Sequence, residues 1–179
     1  APRYQVKAYP GFCFTTNPLT WHPGAGLLML PSTPALWRFA LSTHPTPHKT
    51  ALITGASSGI GQALAHHFAQ DGYELVLAAR GVAKMQALAD ALQQQFKGTV
   101  TVIGADLETP GGAAQLHADV KARGIVLSAL VNNAGYGAFG EFKDSALPHE
   151  LAMMQLNMHT VVVLTKLFMP DLLATRGKI

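Results

Sequence analysis

Thr54-Gly55-Ala56-Ser57-Ser58-Gly59-Ile60-Gly61 is the stretch on which the reading of this chain turns. It follows an apolar run, Ala51-Leu52-Ile53, and opens a helical pattern that reaches Gln70. Strand, glycine-rich turn and helix, in that order, give the glycines a physical purpose. Gly55 takes a tight turn that a side chain would obstruct. Gly59 lets the backbone approach a ligand, and Gly61 lets the helix pack close to the strand. The helix N-terminus then presents unpaired N–H groups and partial positive charge to a pyrophosphate. A flexible loop without a ligand is the bland alternative, and the strand-turn-helix context argues against it.

Outward from that turn, strands and helices alternate. Residues 49–54 read as a buried parallel strand, because apolar residues run together instead of alternating. The helix over 59–70 turns Leu64, Ala65 and Phe68 inward, and Asp71-Gly72 ends it. His66 and His67 are neighbours, point in different directions and make a poor metal pair. A second strand covers 74–79. The helix over 82–96 carries Met85, Leu88, Leu92 and Phe96 on one face, a core stripe. Residues 99–104, rich in β-branched side chains, form a third strand. A shorter helix spans 110–122, with Pro110 near its first turn. Residues 125–132 hold a fourth strand. A long helix covers 148 to about 174; it is apolar over much of its circumference near 161–164, which predicts burial on more than one side. Lys178-Ile179 look like the first step of a fifth strand. This alternation predicts an α/β parallel sheet with right-handed crossovers.

The spacing of the opening turn is G-x-x-x-G-x-G, and Asn132-Asn133-Ala134-Gly135 stands downstream at the end of the fourth strand. Together they resemble the short-chain dehydrogenase/reductase family, from about Lys49 to the end of the sequence. The resemblance implies a Rossmann-type doubly wound parallel sheet, breaking off after the long helix that follows the fourth strand. It implies a cofactor site of Gly55, Ser57, Ser58, Gly59, Ile60 and Gly61, with Asp106 and Leu107 at the adenine edge. Asn133 would stabilise the central sheet near the adenosine, and Ala134 and Gly135 would let the cofactor lie against the backbone. A turn-forming role is the ordinary alternative for Asp106.

Arg80 ends the second strand, about twenty residues beyond the turn. An acid there would accept hydrogen bonds from ribose hydroxyls and repel a 2′-phosphate. An arginine does the reverse, with a planar fork matched to phosphate. In the family this goes with NADP, and Ser57 adds a hydroxyl to the same phosphate; the alternative is a surface arginine. Asn157 lies inside the long helix, where asparagine is a poor helix former. Its position resembles the family's catalytic asparagine, which helps hold a water in a proton relay. A polar residue on a wet helix face is the alternative. Tyr136 stands in a turn, far upstream of the family's catalytic tyrosine, and is not assigned that role.

The implied chemistry is NADP-dependent hydride transfer to a small-molecule carbonyl, or from a secondary alcohol. The family's serine and its Tyr-x-x-x-Lys pair would lie beyond Ile179. The sequence therefore reads as an N-terminal portion carrying the cofactor half, inactive by itself. A dinucleotide-binding or regulatory module without catalysis is the second reading. The long helix implies a homo-oligomer for the full-length protein.

Composition sets the outer limits. At 179 residues the chain builds one domain with a real core. The net charge is +3, but residues 1–48 hold Arg3, Lys7 and Arg38 and no acid, so the remainder is neutral and carries no nucleic-acid footprint. Eight of the 11 prolines, both tryptophans and Cys13 also fall in 1–48. Three readings of that segment stand: a poorly ordered leader, a targeting peptide, or translation upstream of the natural start. A lone cysteine excludes an internal disulfide and fits a reducing, cytoplasmic setting. No uninterrupted run of about 18 apolar residues occurs, so no membrane span is expected. No metal site is expected.

Overall fold

The computed structural model describes residues 49–179; the readings of 1–48 as a leader or targeting segment lie outside the described residues. Four strands form one parallel sheet: β1 (Thr50–Thr54), β2 (Glu74–Ala79), β3 (Val100–Gly104) and β4 (Ala129–Val131), in the order β3-β2-β1-β4. Helices alternate with them: α1 (Gly59–Gln70), α2 (Val82–Phe96), α3 (Gly112–Ala122), then α4 (Leu147–Met154) and α5 (Thr160–Thr175). The sheet is the predicted doubly wound arrangement. Registers are regular: Ala51 sits opposite Leu75 on one side and Ala129 on the other.

Side chains alternate across the pleat, so successive residues of β1 feed different layers. Ala51 and Ile53 pack with Ala65 of α1 and with Met85, Leu88 and Leu92 of α2. Leu52 packs on the opposite face with Leu116 and Val120 of α3 and with Leu164 and Phe168 of α5. All of β1 is buried, as its unbroken apolar run requires. Strand order reverses beside β1, with β2 and β3 on one flank and β4 on the other. The carboxyl ends of β1 and β4 therefore border a crevice, the place where such sheets bind ligands.

Three expectations need correction. The helix expected over 110–122 begins at Gly112, not at Pro110. Gly111, at φ +86°, is its N-cap, and a Cβ on Gly112 would strike the Asp106 carbonyl, so the chain must first complete a turn around Asp106. The long helix is not uniform: α4 and α5 are joined by a π-helical turn over Gln155–His159. It is also not buried on more than one side. Leu156, Leu164, Phe168 and Leu172 face the core, whereas Leu147, Leu151, Met154, Met158, Val162 and Leu173 are exposed. By length and composition Leu147–Thr175 is apolar enough to cross a bilayer, with a mean hydropathy of 1.3 over its best window and 22% of that window buried. That stretch includes Asn157, Lys166 and Asp171, so no uninterrupted apolar run underlies the figure.

One ion pair ties the lower layer together. Asp171 on α5 is only 8% exposed. It accepts hydrogen bonds from Lys121 Nζ of α3 at 2.5 and 2.7 Å and from the Leu127 N–H at 3.1 Å. Beyond α5, Lys178 bridges to Ala129 in parallel register, the start of the expected fifth strand.

Candidate functional site

The turn after β1 has the geometry its glycines suggest. Gly55 sits at φ +67°, and a Cβ there would lie 2.9 Å from both Ala134 Cα and Asn133 Nδ2. A Cβ on Gly61 would strike the Gly55 carbonyl and lie 2.6 Å from Asn133 Nδ2, so α1 approaches the turn more closely than any side chain permits. Gly59, at φ +57°, faces open space. The turn is thus closed toward the protein and open at the N-terminus of α1.

The opposite wall is held by β1. The Thr54 hydroxyl accepts the N–H groups of Asn133 and Ala134, each at 3.0 Å, and donates to the Val131 carbonyl at 3.1 Å. Asn133 Nδ2 returns to the Thr54 carbonyl at 2.9 Å. Asn133 therefore locks the end of β4 to the end of β1, and its side chain is committed to the backbone. Asn132 turns the other way and donates to Thr165 Oγ1 of α5 at 3.1 Å.

Between these walls lies a cleft of about 830 Å³. Every expected cofactor residue except Gly61 lines it: Gly55, Ser57, Ser58, Gly59 and Ile60 from the turn, Arg80 from β2, Asp106 and Leu107 after β3, and Asn133, Ala134 and Gly135 after β4. Gly61 lies beneath, setting the approach of helix to turn. Asp106 also forms its own turn, accepting the Glu108 N–H at 3.1 Å, which is the ordinary role weighed for it in the sequence.

Asn157 is not in the cleft lining. It sits in the π turn and grips the loop that leaves β4: Nδ2 donates to the Tyr136 carbonyl at 2.7 Å, and Oδ1 accepts the Tyr136 N–H at 3.2 Å. π-Helical turns inside α-helices recur at functional sites. A Cβ on Gly135 would lie 3.0 Å from Asn157 Oδ1, so the asparagine also backs the wall against which a ligand would lie.

Sequence alone did not single out Thr54, Lys84 or Glu108. Thr54 had no local signal. Lys84, one helical turn past Arg80, and Glu108, two residues past Asp106, both line the cleft. Arg80 Nη1 pairs with Glu108 Oε1 at 2.9 Å. Tyr136 lies beside them, its ring 5.3 Å from that of His149. Partial burial pushes the Tyr136 phenol above its ordinary value, and the Glu108 carboxylate adds to the rise while Arg80 opposes it. A general acid works best with a pKa near the working pH, so this shift runs against Tyr136 as proton donor. Among the described residues no cluster of His, Cys, Asp or Glu forms a metal site.

The geometry fits a dinucleotide: a glycine cradle, a helix N-terminus and an arginine at one end. Comparison with known proteins agrees. The family model for short chain dehydrogenases matches residues 49–179. The 11-beta-hydroxysteroid dehydrogenase-like 4A of Arabidopsis thaliana is 33% identical over 132 residues, 73% of this chain and 44% of that protein. An alcohol dehydrogenase from the archaeon Thermococcus sibiricus, solved with 5-hydroxy-NADP, superposes with a TM-score of 0.69 at 32% identity, over 73% of this chain and 55% of that one. A short-chain dehydrogenase from Sphingobium yanoikuyae, solved with NADPH, gives 0.65 at 33% identity, over 72% and 50%. The chain thus spans about half the length of the relatives it matches.

Proposed function

The chain belongs to the short-chain dehydrogenase family, an oxidoreductase family, and from that premise we propose that it forms the cofactor-binding half of an NADP-dependent oxidoreductase acting on a small carbonyl compound or secondary alcohol. The observation that carries this reading is Arg80, which lines the same cleft as the glycine turn. When bound, the nicotinamide supplies or accepts a hydride. The chain's own residues bind and orient. Ser58, Gly59 and Ile60 offer the pyrophosphate backbone N–H groups at the start of α1, whereas the Gly55 N–H is spent on the Ala78 carbonyl at 2.8 Å and Gly55 serves by its turn. Arg80, Ser57 and Lys84 face the 2′-phosphate. Ala134 and Gly135 let the ligand lie on the backbone. Asn157 fixes that wall by holding Tyr136, so any grip on a relay water comes from its main chain.

No tyrosine in the sequence is followed four places on by a lysine. The second reading is a module that binds a dinucleotide without turnover. The exposed stripe of Leu147, Leu151, Met154, Met158 and Val162 supports helix-to-helix pairing with a second copy in the complete protein.

The test is titration of NADP and NAD against the unaltered protein and Arg80→Asp. Losing a hydrogen bond to a charged group costs about 1.5–3 kcal/mol, so the NADP preference should fall roughly ten- to a hundredfold. Equal affinity of the unaltered protein for both cofactors, or an unchanged ratio in the variant, refutes the assignment. Turnover of ketones with NADPH by these residues alone refutes the second reading.

A further inference from the structure

We infer that Glu108 is a specificity-determining residue that competes with the cofactor's 2′-phosphate for Arg80 and so restrains the preference for NADP; the inference rests on the dinucleotide reading above. Arg80 directly follows β2, Glu108 lies in the turn after the adjacent strand β3, and both line the same cleft. Their side chains meet at 2.9 Å, with Arg80 64% exposed and Glu108 23%.

The two partners are not equally free. Glu108 belongs to a tight turn, its N–H held by Asp106 Oδ1 at 3.1 Å, and Thr109 Oγ1 closes the same turn on the Asp106 carbonyl at 2.9 Å. The turn fixes the Glu108 backbone, and its side chain is the more enclosed of the two, at 23% exposure against 64% for Arg80. A phosphate drawing on Arg80 must either take the guanidinium from Glu108 or share it. In both cases phosphate and carboxylate contend for the one guanidinium that Glu108 already holds. A ribose hydroxyl in the same place meets neither cost. Specificity is a difference of affinities, and a repulsive element against one ligand changes it as surely as an attractive element for another. Lys84 adds positive charge to the same corner but has no recorded pairing with Glu108, so the competition runs through Arg80.

The probes are adenosine 2′,5′-bisphosphate and 5′-AMP, titrated calorimetrically into the full chain, Glu108→Gln, Arg80→Gln and the double variant. Both members of the pair are solvent-accessible, so the effect is that of a screened ion pair. Glu108→Gln should bind the bisphosphate about three- to fivefold more tightly and 5′-AMP unchanged, the gain shrinking as salt is raised. With Arg80→Gln in place, Glu108→Gln should yield less than half that gain. Unchanged bisphosphate affinity in Glu108→Gln overturns the inference. Weaker affinity also overturns it, because Glu108 would then be positioning Arg80 instead of competing for it. An equal gain with and without Arg80 shows plain repulsion and likewise overturns it. If neither probe binds any variant, the dinucleotide reading itself has failed, a result distinct from 5′-AMP binding with no response to Glu108.

Discussion

Thr54→Val tests what holds the cleft open. The substitution keeps the side-chain volume and removes only the hydroxyl, at a position 1% exposed. Three hydrogen bonds are lost, but not all three groups are stranded. The Asn133 N–H also donates to the Val131 carbonyl at 3.0 Å, so these two groups keep each other. The Ala134 N–H, 3.0 Å from Thr54 Oγ1, has no second partner among the described residues. Leaving this part-buried donor unpaired costs about 1–3 kcal/mol, and each weakened bond about 0.5–1.5 kcal/mol. Burying a methyl in place of a hydroxyl offsets part of this, which leaves a net loss of about 2–3 kcal/mol. For a domain of this size that lowers the melting temperature by roughly 8–12 °C. Thr54→Ser keeps the hydroxyl and loses a buried methyl, so it should cost about 1 kcal/mol or less. The assay is urea denaturation of both variants beside the parent, with nucleotide titration as the second readout. Destabilisation below about 0.5 kcal/mol in Thr54→Val, or equal damage from serine and valine, would refute the reasoning.

Further outcomes follow from the same geometry. Gly61→Ala should overpack the turn against the Gly55 carbonyl and Asn133 Nδ2, costing about 1–3 kcal/mol and abolishing nucleotide binding; calorimetry and thermal melts check both. Asp171→Ala should cost about 1–3 kcal/mol, because it strands the buried Leu127 N–H, whereas Lys121→Met alone should cost about 1 kcal/mol or less in denaturant melts, its ammonium being open to solvent. Tyr136 should ionise above the ordinary phenol value of about 10. Its folded value is raised, so its stabilising contribution is complete below that ordinary value and is lost as pH climbs through the folded one. Ultraviolet difference titration against Tyr136→Phe locates the transition, and Glu108→Gln should move it downward; an upward move would contradict the assigned cause.

The elements were legible because each carries its own period. The unbroken apolar run of β1, the stripe Met85-Leu88-Leu92 and the glycines at 55, 59 and 61 are local signals, and the structure places all of them as their chemistry asks. The exposed face of the long helix was not legible. A helix apolar nearly all round does not declare which sides are covered. Nor was the role of Thr54, which stands 79 residues from Asn133 in sequence and 3.0 Å from its N–H in space. A threonine at a strand end is common, and only the register of β4 on β1 gives it three partners. Glu108 is similar: its pairing with Arg80 requires knowing that β3 lies beside β2. The π turn left one trace in sequence, the poor helix former Asn157, but periodicity could not show its width.

The polar side chains around the cleft divide by what they face, and the division explains how a wall of small residues binds anything. Thr54, Asn133 and Asn157 are committed to backbone groups: Thr54 and Asn133 to each other and to residues 131–134, Asn157 to residue 136. They fix the path of the chain from β4 into the loop and contribute little to the surface that a ligand meets. That surface is left to Ala134, Gly135 and the glycine turn, where main-chain atoms stand within reach because no Cβ intervenes. The residues free to discriminate, Arg80, Lys84, Ser57 and Glu108, gather instead at one corner of the cleft. On the function proposed above, a site built this way would hold the shared parts of a dinucleotide through backbone and read the single group that separates one dinucleotide from another through side chains. Substitutions in the first set should therefore weaken NAD and NADP together, whereas those in the second should change their ratio.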